Sequence, residues 1–154
     1  MSFSVQIKNL SMMEKLPSDL AAKMSGVFLE TAQTLVHNAA NAARERVLSK
    51  SRRPHAGSGR YLNSIRFVIE TNPLQVTGKV GSNHPQAAVL EFGSRPHVIQ
   101  AKNKATLFWP GARFPVKKVN HPGTPAFKVL GGAAEQVALN AQDIFNQVLN
   151  KTFG

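Results

Sequence analysis

The chain contains no cysteine, which excludes disulfide frameworks, zinc sites built from thiolates and cysteine nucleophiles. No apolar run approaches the roughly 20 residues that a transmembrane helix needs. Residues 1–10 alternate polar and apolar side chains, and they lack the basic start and apolar block of a signal peptide. This composition suits a reducing cytoplasm, and we expect a soluble protein that stays where it is made and has no membrane partner.

Acidic residues are also scarce. The 154 residues include 8 Asp and Glu against 19 Lys and Arg, for a formal net charge of +11. The imbalance lies between Arg44 and Lys128, where 15 bases occur with three acids. Such a surface is typical of a protein that meets nucleic acid, of one that is steered to an acidic protein partner, or of a solvated face with no partner. The charge leaves these three interpretations open.

Apolar residues recur at spacings of three and four over two segments, which predicts two amphipathic helices. The first runs from about Asp19 to about Leu48 and is rich in alanine in its second half. At about 1.5 Å per residue it would span about 45 Å, which is longer than a domain of this size needs. The second begins at Phe127 or at Ala133, because the glycines at 131 and 132 weaken its start, and it continues to the end of the chain.

Alternating polar and apolar residues predict the sheet. The pattern of apolar residues in 86–92 fits a helical turn and a strand equally well. A single domain over residues 1–154 is expected, of α+β class, with a long N-terminal helix and a C-terminal helix packed on a mostly antiparallel sheet. The segments predicted as strands are residues 3–10, 65–70, 74–80, 97–101, 106–109 and 114–119.

The sequence gives little support to catalysis. It has no phosphate-binding glycine loop, no nucleophile elbow and no paired carboxylates. His84, His97 and His121 with Glu91 could in principle converge on a metal, but each of these histidines is next to a proline, as turn residues often are. We therefore predict no enzymatic activity, no metal and no cofactor.

Aromatic residues alternate with bases in two segments, residues 102–109 and 113–118. Aromatic platforms beside cations are used by proteins that bind single-stranded nucleic acid. Phe108 and Trp109 are equally well explained as core anchors of a small sheet. Both interpretations stay open.

Three motifs follow one another along the chain: Ser-Gly-Arg-Tyr-Leu-Asn-Ser-Ile at residues 58–65, Val-Leu-Glu-Phe-Gly-Ser-Arg-Pro-His-Val-Ile at 89–99, and His-Pro-Gly-Thr-Pro-Ala-Phe at 121–127. In this order, and between two helices, they resemble the gene-ten family of tail-completion, or head–tail joining, proteins of long-tailed phages and prophages. The resemblance covers residues 19–149. It departs from the family at Gly131-Gly132, where relatives tend to carry better helix formers, and at Ala88, near which they often have an aromatic residue.

The resemblance implies a component of the virion neck that is assembled in the host cytoplasm and carries no catalytic residues. Gly93 and Gly123 would allow backbone conformations that a side chain disfavours, and the prolines would stiffen the connections. Glu91 would either pair with a cation such as Arg95 or Lys118, or be an exposed acid without a partner. The motif residues with an implied structural role are Glu91, Phe92, Gly93, Pro96, Trp109, His121, Pro122, Gly123 and Phe127.

Because phage tails are sixfold, the resemblance also implies a homo-oligomer, with a hexameric ring of head-to-tail contacts favoured. Its partners would be other neck and tail proteins, and its basic surface would meet either these or the DNA in the lumen. The candidate contacts are the first helix and a flexible basic loop at residues 51–60, with Arg52, Arg53 and Arg60. The alternatives are a basic nucleic-acid-binding protein acting outside the virion, and a small hydrolase or nuclease with a metal held by loop histidines.

Overall fold

The computed structural model describes residues 1–7, 10–49, 59–72, 75–102, 105–109 and 111–154. The fold is α+β, as the sequence predicts, with five α-helices and five strands in the described residues. A 3-10 helix at Leu10–Lys15 precedes the first α-helix. The α-helices are α1 (Ser18–Leu48), α2 (Arg60–Ser64), α3 (Ala87–Phe92), α4 (Val129–Ala138) and α5 (Ala141–Phe153), and the strands are β1 (Ser2–Ile7), β2 (Ile65–Asn72), β3 (Gln75–Ser82), β4 (His97–Gln100) and β5 (Lys118–His121).

α1 is the long helix that the spacing of apolar residues predicts. It starts at Ser18, one residue before the predicted start, and ends at Leu48 as predicted. Pro17, whose ring fixes φ, precedes it in an extended conformation (φ −52°, ψ 144°). The small alanines of its second half let neighbouring elements approach closely. The buried positions lie on one stripe and are Val27, Thr31, Ala32, Leu35, Val36, Ala39, Ala40, Ala42, Ala43 and Val47.

β3 is the central strand of an antiparallel sheet with the order β1-β3-β2, which confirms the predicted first strand and hairpin. Val80 of β3 is buried and lies opposite Phe67 of the edge strand β2. A side chain at Gly78 would overlap Val36 of α1, so this glycine lets the helix and the sheet approach closely. The sheet therefore has one face against α1 and one face toward solvent.

The core lies where α1 meets the sheet on one side and the last two helices on another. Ile65 of β2 and Leu130 of α4 are among its largest fully buried side chains. Burying a side chain of this size stabilises the fold by about 1.5–3 kcal/mol. Within the described ranges, no helix combines the length and the apolar composition needed to cross a membrane.

The predicted C-terminal helix is confirmed, but the structure divides it into two helices, α4 and α5. They are separated at Leu139 and Asn140, and asparagine is a poor helix former whose backbone here (φ −103°, ψ 7°) lies outside the helical region. α4 begins at Val129, at neither predicted start, and it contains both glycines. The second of them, Gly132, is favoured because the guanidinium of Arg46 occupies the space of its missing side chain.

The predicted strand at residues 97–101 is confirmed by β4, but the next two predicted strands are wrong. Residues 106–109 and residues 114–119 share only a bridge between Leu107 and Val116, and β5 begins later, within the second segment. A proline inside the second segment has no N–H to donate, which explains why no regular ladder forms there.

Two short helices complete the comparison with the sequence. α3 resolves the ambiguity at residues 86–92 in favour of a helix. α2, which the sequence does not predict, follows Gly59 in a left-handed conformation (φ 66°). Arg60 is the first residue of α2, so the end of the predicted flexible loop is helical.

Candidate functional site

The second and third motifs meet where a two-stranded ribbon leaves the body of the protein. Ser94 and Thr124 exchange backbone hydrogen bonds, with the Ser94 N–H donating to the Thr124 carbonyl (2.8 Å) and the Thr124 N–H donating to the Ser94 carbonyl (3.1 Å). Gly93 (φ 75°) and Gly123 (φ 90°) flank this pair. A side chain on either glycine would overlap the backbone oxygen of the opposite segment. The expectation that both glycines permit a special backbone conformation is confirmed.

Glu91 connects this junction to the last pair of helices. Its side chain is 3% exposed. The Leu130 N–H donates to Oε2 and the Gly131 N–H donates to Oε1, both at 2.8 Å. These are unpaired amides of the first turn of α4, where a carboxylate is stabilised by hydrogen bonding and by the helix dipole. The carboxylate of Glu91 caps the N-terminus of α4, because the residue before the helix, Lys128, makes no side-chain cap hydrogen bond.

Both expectations for Glu91 are therefore wrong. It is not an exposed acid, and it does not pair with Arg95 or Lys118, which are both exposed. The physical reason is that a buried carboxylate needs hydrogen-bond donors close by, and the first turn of a helix supplies two of them without burying a second charge.

The end of the third motif runs beside α3. The Phe127 N–H donates to the Leu90 carbonyl (2.9 Å), and the Lys128 N–H reaches the Glu91 carbonyl (3.4 Å). The ring of Phe127 is half-buried and packs against the main core. Backbone and side chain together thus hold α3 to the segment that enters α4.

Tyr61 places the first motif in the same region. The side chain is 5% exposed, its ring packs edge-on against His84 with 5.7 Å between centroids, and no described residue forms a hydrogen bond with its hydroxyl. Burial, and next the negative charge of Glu91, raises the pKa of the Tyr61 hydroxyl to about 12. A hydroxyl with this pKa is neutral at physiological pH and is a poor general base or nucleophile.

Arg46 is a residue of this region that the sequence analysis missed. Its guanidinium donates to the Gly132 carbonyl at 2.9 Å, and its flat group fills the space above that glycine. The signal in the sequence was an arginine on the apolar side of a helix opposite a glycine pair. It could not be interpreted without knowing that the two segments, 86 residues apart, come together.

The ribbon itself forms an arm, which we define as the described residues between 94 and 124, namely 94–102, 105–109 and 111–124. His97 of β4 lies opposite His121 of β5, and the pairing continues through the Ala101 N–H to the Lys117 carbonyl (3.2 Å) and the Leu107–Val116 bridge. The regular ladder covers four residues of each strand, and isolated bridges at Ser94–Thr124 and Leu107–Val116 lie beyond its two ends. The stretch from Val116 to Thr124 therefore spans at most about 26 Å, at about 3.3 Å per extended residue. β4 and β5 pack chiefly on each other, and every side chain of β4 is exposed.

The tip of the arm exposes large aromatic rings. Phe108 is 67% exposed, Trp109 45% and Phe114 66%. The interpretation of Phe108 and Trp109 as core anchors is therefore wrong, because both rings are exposed and neither belongs to a core cluster of the described residues. The chain has seven Lys and Arg but no Asp or Glu between Glu91 and Glu135, so the arm is also purely cationic.

The three candidate histidines, His84, His97 and His121, do not converge on Glu91. His97 and His121 are neighbours, with 5.0 Å between ring centroids. His84 packs on Tyr61 instead, and the carboxylate of Glu91 is hydrogen-bonded to the first turn of α4. Nδ1 of His97 forms a hydrogen bond with the Arg95 carbonyl (2.9 Å), and Nδ1 of His121 accepts one from the Gly123 N–H (3.1 Å). Across the described residues, no three His, Asp or Glu side chains are placed to hold a metal ion.

The remaining predicted site residues are mostly exposed. Phe92 (69% exposed), Pro96 and Pro122 are exposed, and His121 is half-buried. Arg60 is exposed at the start of α2, while Arg52 and Arg53 lie outside the described residues. Comparison of the chain with protein-family models, with curated proteins and with solved structures finds no match.

Proposed function

We propose that the chain is a structural protein of the neck of a tailed phage, which completes the tail or joins the tail to the head as a subunit of a homo-oligomeric ring. The proposal starts from the resemblance of the three motifs to the gene-ten family. The observation that carries it is that the second and third motifs meet at the base of one exposed arm. Tyr61 of the first motif is buried close enough to Glu91 of the second for that charge to raise the pKa of its hydroxyl.

The chemistry of this junction favours a mechanical role over catalysis. Its buried carboxylate, Glu91, uses both oxygens to hold backbone N–H groups, and its buried hydroxyl, Tyr61, is held neutral. Neither group is free to activate a nucleophile or a water molecule. Groups arranged in this way stabilise one geometry of the arm relative to the helices.

A neck ring needs surfaces that meet neighbours in a head-to-tail manner. The arm and the exposed side of α1 are available for this, and the basic surface suits contact with acidic neck and tail proteins or with DNA that passes through the lumen. The ring would be a hexamer if it follows the symmetry of the tail. The protein would be part of the virion, assembled in the host cytoplasm.

Deleting the gene from a phage or prophage that carries it tests the proposal directly. Electron microscopy of the lysate should show full heads together with unattached or incorrectly terminated tails, and the wild-type gene supplied in trans should restore joined particles. Normal joined particles without the gene would refute the neck role. The predicted loop contacts are tested in the same assay with an R52E/R53E variant, which we expect to fail in complementation; infectious particles from this variant would remove the loop from the mechanism.

A second candidate function, a nucleic-acid-binding protein acting outside the virion, is favoured by one observation. The arm combines exposed aromatic rings with an acid-free, cationic sequence. Such a protein should bind DNA or RNA in the micromolar range or tighter, and the affinity should fall steeply with salt, because bound phosphates release counterions. Binding that is weak at low salt would eliminate this candidate.

A further inference from the structure

The outer side of α1 carries a recessed strip that the fold leaves uncovered. We define the strip as the outward residues from Gln33 to Glu45, which include His37, Asn38 and Asn41. One recess, of about 420 Å³, lies between the strip and the edge strand β2 at Phe67; another, of about 330 Å³, lies between the strip and α4–α5. Asn38 lines both recesses, so the two recesses lie on either side of this residue and adjoin each other there.

The strip has the composition of an interface rather than of a solvated helix face. It displays neutral amides and an imidazole, although the protein has 19 Lys and Arg. The one cation beside it, Arg44, is already engaged, since its guanidinium donates to Asn41 Oδ1 and to the Ile65 carbonyl, both at 3.0 Å. Interface centres are depleted in charged residues in the same way. Leu139, which is 85% exposed at the corner between α4 and α5, adds an apolar side chain near one end.

The charge at the end of the strip is complementary to that of the arm. Glu45 lines the α4–α5 recess, and no described residue pairs with its carboxylate. At the tip of the arm, Arg113 is exposed and likewise has no partner among the described residues. The arm has no acid of its own, so its cations can be neutralised only by another surface.

The dimensions also agree. From Gln33 to Glu45 the strip is about 18 Å long, at about 1.5 Å per residue of helix. The stretch of the arm from Val116 to Thr124 spans at most about 26 Å, at about 3.3 Å per extended residue. An arm of this length can reach along the whole strip.

We propose that the arm of one copy lies along the α1 strip of the next copy, with the aromatic tip in the α4–α5 recess and Arg113 beside Glu45. A contact between two different surfaces is heterologous, so its repetition closes a ring when the rotation per subunit allows it. This inference rests on the proposed ring function and names the surfaces that build the ring. Nucleic acid on the arm would neutralise the cations but would leave the strip uncovered, whereas a second copy satisfies both surfaces.

The absence of native cysteine makes the contact directly testable by crosslinking. Two cysteines are introduced in one chain, A112C at the arm tip and N38C in the strip, and a short bismaleimide is added to the purified protein. We expect a ladder of covalent oligomers on a denaturing gel. The matched control pairs A112C with V68C on the solvent face of the sheet, where Val68 is 54% exposed, and should give no ladder above background.

Charge reversal provides an independent readout on the uncrosslinked protein. R113E and E45R should each weaken self-association at least tenfold in sedimentation or mass photometry, and the double variant should recover most of the loss. Additivity of the two variants would overturn the proposed pairing. A chain that stays monomeric at every concentration, or equal crosslinking of the N38C and V68C pairs, would overturn the docking of arm on strip.

The outcomes separate this inference from the function on which it rests. If the deletion phage lacks joined particles while the N38C pair gives no ladder, the neck role stands and the arm docks elsewhere. If the ladder forms but deletion leaves normal particles, the contact exists and the neck role fails. Arm variants that lose salt-dependent DNA binding, with unchanged self-association, would show that nucleic acid occupies the arm instead.

Discussion

Replacing Glu91 by glutamine tests whether the buried carboxylate fastens the base of the arm to α4. Its two oxygens accept the N–H groups of Leu130 and Gly131, each at 2.8 Å. A hydrogen bond to a charged group is worth about 1.5–3 kcal/mol, and a carboxylate at a helix N-terminus contributes a further ~0.3–1 kcal/mol. Glutamine keeps one acceptor but presents an NH2 group to the other N–H, so one bond is lost and the other is weakened. We expect the free energy of unfolding to fall by about 3 kcal/mol.

This loss is a large fraction of the roughly 5–15 kcal/mol by which domains are stable. For a chain of this length it corresponds to a fall in Tm of about 6–12 °C, at about 2–4 °C per kcal/mol. Urea unfolding followed by circular dichroism measures the loss of unfolding free energy, and hydrogen exchange at the Leu130 and Gly131 amides shows where in the structure the loss occurs. Exchange at these two amides should accelerate more than exchange elsewhere in α4.

Glu135 provides the matched control, because it is an exposed glutamate on the same helix. The same change there, Glu135→Gln, should alter the stability by about 0.5 kcal/mol or less. If Glu91→Gln costs no more than this control, the carboxylate does not stabilise the first turn of α4.

Three further predictions follow from single groups. The one tyrosine, Tyr61, should titrate near pH 12 by ultraviolet absorbance in the folded chain and near pH 10 in the unfolded chain. The contribution of its neutral hydroxyl to the free energy of unfolding is present below pH 10 and is lost as the pH rises to 12, at about 1.4 kcal/mol per pH unit. A folded midpoint near pH 10 would contradict this. Gly93→Ala should destabilise the fold by more than about 2 kcal/mol in thermal unfolding, because the new side chain would overlap the Thr124 carbonyl in addition to straining the backbone. The control Gly111→Ala, also at positive φ (92°) but facing open space, should cost only about 1 kcal/mol, and equal losses in the two variants would refute the overlap. Gly26→Ala, in open space within α1, should raise the unfolding free energy by about 0.5–1 kcal/mol, and a decrease in urea unfolding would show an unseen contact.

Periodicity predicted the regular parts of the fold because local spacing determines which face of an element is apolar. α1 and the β2–β3 hairpin each have one buried face, so their patterns are clear, and the boundaries agree within two residues. The C-terminal segment carries a continuous apolar stripe, which hid the break at Asn140. The ribbon strands have no buried face, so their alternation carried no information about pairing.

The candidate site was predictable only in part, for a physical reason. The special backbone of Gly93 and Gly123 follows from the residue type, and the sequence therefore predicted it. The partner of Glu91 lies 39 and 40 residues away along the chain, and composition favoured a cation because cations are so abundant. What decided the outcome was burial, which no local pattern of the sequence revealed.

Burial of Glu91 also explains how a protein so rich in cations can present an arm without any acid. A carboxylate on the arm could neutralise its cations internally and would lower its surplus positive charge. The one acid next to the arm is instead turned inward, where it accepts hydrogen bonds from two backbone N–H groups and neutralises no cation. The junction thereby fixes the direction of the arm through hydrogen bonds and leaves the positive charge of the arm undiminished, as a contact with an acidic surface would require.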